Sequence, residues 1–284
     1  MKQIVALCAV GVVFVAVSAE AIGPTKLKQP GLFPITISKP GSYILVTNLT
    51  LPNANTTAIL VQADNVTIDL NGFSILGPTV CSGKPVTSCT PTGSGIGIDA
   101  PTADNTTVLN GTVQGMGSNG IRIFQGMNGR VDRVTARSNG HTGIEASMVL
   151  NSFAISNGSS GINEGAGAGY QTCTNCIAIG NAVVGLECDV VANSIGSYNG
   201  LDGISSLTVL NSVAYGNTRD GITNALAVTN SGAGGNGSTG IEGSAVLGSS
   251  SENIAANAAM GNEAGTISSP GIAGLNRCAG GPCP

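Results

Sequence analysis

Four of the six arginines, Arg122, Arg130, Arg133 and Arg137, fall within 16 residues of a chain that is only 9% charged. A guanidinium presents a planar fork of N–H donors that matches a carboxylate in two places, so such a cluster suits acidic groups such as uronates. Glu145 follows closely, and Glu164 and Tyr170 lie in the next long variable segment. A carboxyl whose pKa is raised can act as an acid or a base, and Glu145, Glu164 and Tyr170 are the catalytic candidates. The expected ligand is an acidic polysaccharide, with uronate lysis or epimerisation favoured over hydrolysis if the site is catalytic. The alternative is a non-catalytic surface or matrix rod, with solvated arginines.

Other residue sets carry weaker chemistry. Asp202 and Asp220 occupy equivalent places in adjacent repeats and would repel if stacked, which makes Ca²⁺ their candidate ligand. Arg219, beside Asp220, can neutralise the pair instead. No other metal or cofactor is implied. His141 is the one histidine and reads as a polar turn residue. Cys81 and Cys89 bracket one Pro/Ser/Thr-rich loop, and Cys278 and Cys283 bracket the tail at 277–284. Cys173, Cys176 and Cys188 remain, so at least one is unpaired or intermolecular. Cys173-x-x-Cys176 lacks the second CxxC or nearby His that a zinc site needs.

The elements that position these residues are repeats. Asn151-Ser-Phe-Ala-Ile-Ser-Asn157 is followed by Gly161-Ile162. The same frame returns at Asn175, Asn193, Asn211 and Asn230, and upstream at Asn110 and Arg133. A Gly always stands ten residues after the first position, and the whole period is 18–24 residues. Such a unit is too short to fold alone and must stack on its neighbours. Short apolar pieces between Asn and Gly fit two or three strands per coil, with coils about 4.8 Å apart. Equivalent Asn residues then fall above one another as amide ladders, and the tenth-position Gly is expected at a corner with positive φ. Crossovers between parallel strands are right-handed in about 98% of cases, and the periods of 19, 23 and 24 break a left-handed hexapeptide rule. The fold expected is all-β, a right-handed parallel β-helix.

On that fold the loop lengths predict a notch. The segment between Gly120 and Arg133 is long, the one after Gly143 is short, and the one after Gly161 is longest. Long, short and long in stacked coils leave a gap of about 10 Å, with Arg expected on one wall and Glu164 with Tyr170 on the other.

Composition narrows the function classes. Gly 43, no Trp, 3% aromatic and a net charge of −4 suit short strands and turns and give nucleic acid no basic surface. Lys2, the apolar run Ile4–Val17 and Ala19-Glu20-Ala21 have the pattern of a cleaved signal peptide at 1–21. The remainder, 22–284, is expected to be one exported β-helix domain, extracellular or periplasmic, with no membrane span and an open oligomeric state.

The GSY…NLT opening, the Asp64-Asn-Val-Thr-Ile-Asp-Leu-Asn-Gly-Phe-Ser-Ile75 strand pair and the N-x3-GI coils resemble exported bacterial β-helix proteins of the pectin-lyase-like group. The resemblance covers nearly the whole mature chain and implies the fold. The group spans lyases, glycosidases, epimerases and surface proteins, so it implies no single activity. Asn139-Gly-His141-Thr-Gly143 departs from the group's GHG motif, and its clustered aspartate and DPHD motifs are absent.

Overall fold

The computed structural model describes residues 23–123, 126–163 and 171–251, and beyond 251 assigns strands alone. Each coil contributes one strand to each of three parallel sheets. Sheet A stacks Ile98, Ile121, Ile144, Ile162, Leu186, Ile204 and Ile222 in register. Sheet B stacks Val108, Val131, Val149, Cys173, Val191 and Val209. Sheet C stacks Val113, Ala136, Ala154, Ala178, Gly196 and Ala214. The chain is a parallel β-helix.

These rows point inward and form one core. The sheet A isoleucines from Ile98 to Ile222 and the sheet B valines are 0% exposed. Burial of such a side chain contributes about 1.5–3 kcal/mol. Sheet C needs small residues because polar ladders fill the space beside it. Asn139, Asn157, Asn181, Asn199, Asn217 and Asn236 form a row in which each donates from Nδ2 to the next Oδ1 at 2.9–3.0 Å. The separations are 18, 24, 18, 18 and 19 residues, as the repeat predicts. Each accepting Oδ1 also takes the backbone N–H of the preceding ladder residue. The ladder therefore supplies buried backbone with partners where no strand can.

The tenth-position glycines do not have positive φ. Within the repeat frame it is the first-position residues that are left-handed, Asn110, Arg133, Asn151, Asn175, Asn193, Asn211 and Asn230, at φ 48–56°. Asn tolerates this conformation better than other non-glycine residues. Glycine is required at the tenth position for lack of space: a Cβ on Gly203 would stand 2.5 Å from Asn217 Nδ2.

A second ladder runs through Ser194, Ser212, Ser231 and Ser249, each Oγ accepting the preceding backbone N–H. Cys176 occupies this row. It is buried and free, and burial pushes its thiol up to about 11. Cys173 and Cys188 form a disulfide inside the core, so the Cys173-x-x-Cys176 pair has no joint metal site.

One coil is 39 residues long, beyond the expected range, because an antiparallel hairpin (Val80–Gly83 with Val86–Thr90) is inserted after sheet C. The Cys81–Cys89 disulfide closes it. The hairpin lies along the corner between sheets C and A. Val86 N–H donates to Gly180 O at 3.0 Å, and the Lys84 ammonium stands 4.9 Å from the Tyr198 ring centre. The expected signal peptide at 1–21, Glu164, Tyr170, Cys278 and Cys283 lie outside the fully described residues. No helix among the described residues is long and apolar enough to cross a membrane.

Candidate functional site

A groove opens at the corner between sheets A and B, beside Arg130; the other expected wall of the notch, Glu164 with Tyr170, lies outside the described residues. The chain leaves sheet A at Ile121–Arg122 and enters sheet B at Arg130; two coils later it leaves at Ile162–Asn163 and enters at Thr172. Between these long segments, Ile144–Glu145 reaches Met148 through Ala146 and Ser147 alone. A groove of about 430 Å³ opens there, lined by Asn105, Thr107, Asn128, Arg130, Ser147, Met148 and Thr172.

The wall nearest the N-terminus is stiffened by another amide ladder. Asn128 Nδ2 donates to Asn105 Oδ1, and Asn105 Nδ2 to Asn65 Oδ1, both at 3.0 Å. All three residues are left-handed. On the floor, the Ser147 hydroxyl is buried without a hydrogen-bond partner among the described residues. An unsatisfied buried hydroxyl costs roughly 1–3 kcal/mol.

The four arginines do not share this groove. A coil circles all three sheets, so neighbours in sequence are carried to different faces. Arg130 lines the groove and donates to Asp132 at 2.9 Å, with 44% of its side chain exposed. Arg133 sits at the B–C corner and donates to Asp132 at 3.1 Å and to Asn110 at 2.7 Å. Arg137 is exposed at the end of sheet C, in register with Ile155. Arg122 lies on sheet A in a bidentate pair with Asp99, both bonds 2.9 Å.

Asp132 is the hub for two of these arginines and is nearly fully buried. Burial works to raise its pKa. The Asn151 amide and the Arg130 and Arg133 guanidiniums outweigh that, and the carboxyl stays below its ordinary value.

Glu145 stands on the outward row of sheet A, between Arg122 and Asn163. Burial pushes its carboxyl above the ordinary range, against hydrogen bonds from Asn119 and Thr142 and the nearby His141 and Arg122. His141 is more than a turn residue: its Nδ1 stands 3.0 Å from Asn119 Oδ1 and 3.3 Å from Thr142 Oγ1.

The Ca²⁺ expectation for Asp202 and Asp220 meets an internal cation. Arg219 grips both oxygens of Asp202 and reaches Asp220 Oδ2 at 3.4 Å. The Asp220 and Thr239 backbone N–H groups bind one oxygen of each carboxylate. One guanidinium thus offsets one of the two carboxylate charges.

Sequence reasoning missed most of the groove lining. A signal was present, since Asp64-Asn65-Val-Thr67 and Asp104-Asn105-Thr-Thr107 share a pattern. Each Asp caps the next coil: Asp64 Oδ1 takes Asp104 N–H at 2.9 Å, and Asp104 Oδ1 takes Met127 N–H at 2.7 Å.

No family model matches the chain, and no curated protein matches it. Among solved structures, the crystal structure of the Dettilon tailspike protein (gp208) aligns with 89% of this chain and 62% of its own length, at 14% identity and a TM-score of 0.39. The chain thus spans less than two thirds of that structure. The fold assignment rests on the strand registers themselves, which make this chain a parallel β-helix.

Proposed function

We propose that this protein is an exported glycan-binding β-helix, of the pectin-lyase-like kind, which holds an acidic polysaccharide in the groove between sheets A and B. The observation that carries this reading is the groove's chemistry. Amide and hydroxyl groups from four successive coils surround one arginine. Arg130 keeps unused N–H donors after pairing with Asp132, enough to hold a uronate carboxylate. Two disulfides, Cys81–Cys89 and Cys173–Cys188, fit an oxidising compartment and support export.

Binding is the core of the proposal; catalysis is a separate step. Glu145, two residues from Ser147 on the outward side, is the acid or base that such a step would use. The binding test is a calorimetric panel of neutral, uronate-bearing and sulfated oligosaccharides. Uronate chains should bind, and Arg130→Ala should weaken them about tenfold, the loss of one charge-assisted pair. Equal affinity of the variant would remove the groove from the account. The catalytic step is tested by mass spectrometry of the same chains in heavy water, where cleavage, elimination and deuterium uptake at the uronate carbon leave distinct masses.

A second reading, a non-catalytic spacer or adhesive rod, draws on the continuous Asn and Ser ladders, which stiffen the stack along its axis. Failure of every glycan to bind would favour it.

A further inference from the structure

A second pocket opens at the same A–B corner, farther toward the C-terminus. It encloses about 200 Å³, and its polar walls are Glu187, Asp189, Ser205 and Asn224, with Leu207 as an apolar side. These residues come from successive coils whose sheets are in register, Leu186 with Ile204 and Ile204 with Ile222.

The polar atoms of this pocket are used unevenly. Asn163 Nδ2 donates to Glu187 Oε2 at 2.6 Å, which leaves Oε1 without a donor among the described residues. Gln171 N–H donates to Asp189 Oδ2 at 2.9 Å, which leaves Oδ1. Asn224 donates one amide hydrogen to Ser205 Oγ at 2.9 Å, which leaves its carbonyl oxygen and second amide hydrogen, and Ser205 keeps its hydroxyl proton. What remains is three open acceptors, two of them carboxylate oxygens, beside one amide and one hydroxyl hydrogen. Burial and the neighbouring Asp202 also hold the Glu187 carboxyl above its ordinary range, so its charge lacks full compensation. Asp202 itself is occupied by Arg219 and contributes no opening.

We propose that this pocket binds a primary ammonium group, as carried by an unacetylated amino sugar. An ammonium has three donors for the three open acceptors, and its positive charge offsets that of Glu187. A neutral hydroxyl or acetamido group would leave the carboxylates uncompensated. The assignment is independent of the groove at Arg130 and stands or falls without it.

The test is isothermal titration of the full mature protein with glucosamine oligomers, their N-acetylated counterparts and CaCl₂. The free-amine oligomer should bind, with the N-acetylated one at least tenfold weaker. Glu187→Gln keeps the Asn163 contact through its amide oxygen and should lower free-amine affinity about tenfold. Asp189→Asn should do the same, and circular dichroism melting confirms that both variants fold. Three results would overturn the assignment: equal binding of free and acetylated oligomers, unchanged affinity in both variants, or Ca²⁺ binding that the amine does not displace. Arg130→Ala should leave the amine affinity unchanged, which separates this pocket from the groove.

Discussion

At the residue scale, two kinds of carboxylate pull stability in opposite directions with pH. Asp132 has a depressed folded pKa, so its contribution is full above the ordinary Asp value of about 3.9 and is lost as pH falls through the lower folded value. Asp132→Ala removes the acceptor of Arg130, Arg133 and Asn151 at once. It should cost about 2 kcal/mol at neutral pH, and the gap from wild type should shrink in acid. Chemical denaturation at pH 7 and pH 3 reads both. Glu187 has a raised folded pKa, so its contribution is full below the ordinary Glu value and is lost as pH rises through the folded one. Glu187→Gln should therefore raise Tm at pH 7 and leave it nearly unchanged below pH 4. A lower Tm at pH 7 would contradict burial as the cause of the raised pKa. The charge chemistry was only half legible in sequence. The Arg219 alternative for the aspartate pair was visible because Arg219 and Asp220 are adjacent, whereas the Asp99–Arg122 pair joins coils 23 residues apart.

At the element scale, the repeat frame assigns different work to residues that look alike. Asn199 lies in the buried ladder and Asn211 at an exposed left-handed corner. Asn199→Ala strips partners from Asn181 and Asn217 and should cost roughly 2–4 kcal/mol, since buried polar groups lose their mates. Asn211→Ala should cost about 1–2 kcal/mol from αL strain, and Asn211→Gly should recover most of that. Gly203→Ala should destabilise for a third reason, collision of its Cβ with the Asn217 amide and Gly196 O. Urea denaturation of the four variants separates the mechanisms. Spacing alone revealed the ladder, because 18-residue periodicity stacks identical side chains. It misassigned the glycine, because absence of a side chain satisfies both a strained φ and a crowded contact. Only the neighbouring coil, which sequence does not display, decides between them.

At the scale of the whole molecule, a solenoid turns loop length into surface shape. The groove opens beside the long segment that ends at Arg130, and the sequence carried the length of that segment. It did not carry the direction each arginine faces, because 16 residues make most of a turn around the axis and distribute Arg122, Arg130, Arg133 and Arg137 over all three sheets. The hairpin at residues 80–90 was legible as a disulfide-closed loop, but its course along several coils was not. Replacing Cys81 and Cys89 with Ser should cost about 2–3 kcal/mol by the loop-entropy relation. Amide exchange should rise at the hairpin first, with the ladder core still protected.

The most direct test of the central claim is a hydrogen-exchange footprint of the mature protein with a saturating uronate oligosaccharide. Binding in the groove predicts slowed exchange around Asn105–Thr107, Asn128–Arg130, Ser147–Met148 and Thr172, with sheet C strands such as Phe153–Ile155 and Ile195–Ser197 unchanged. Protection on sheet C, or no protection anywhere under conditions where binding is measured, would contradict it.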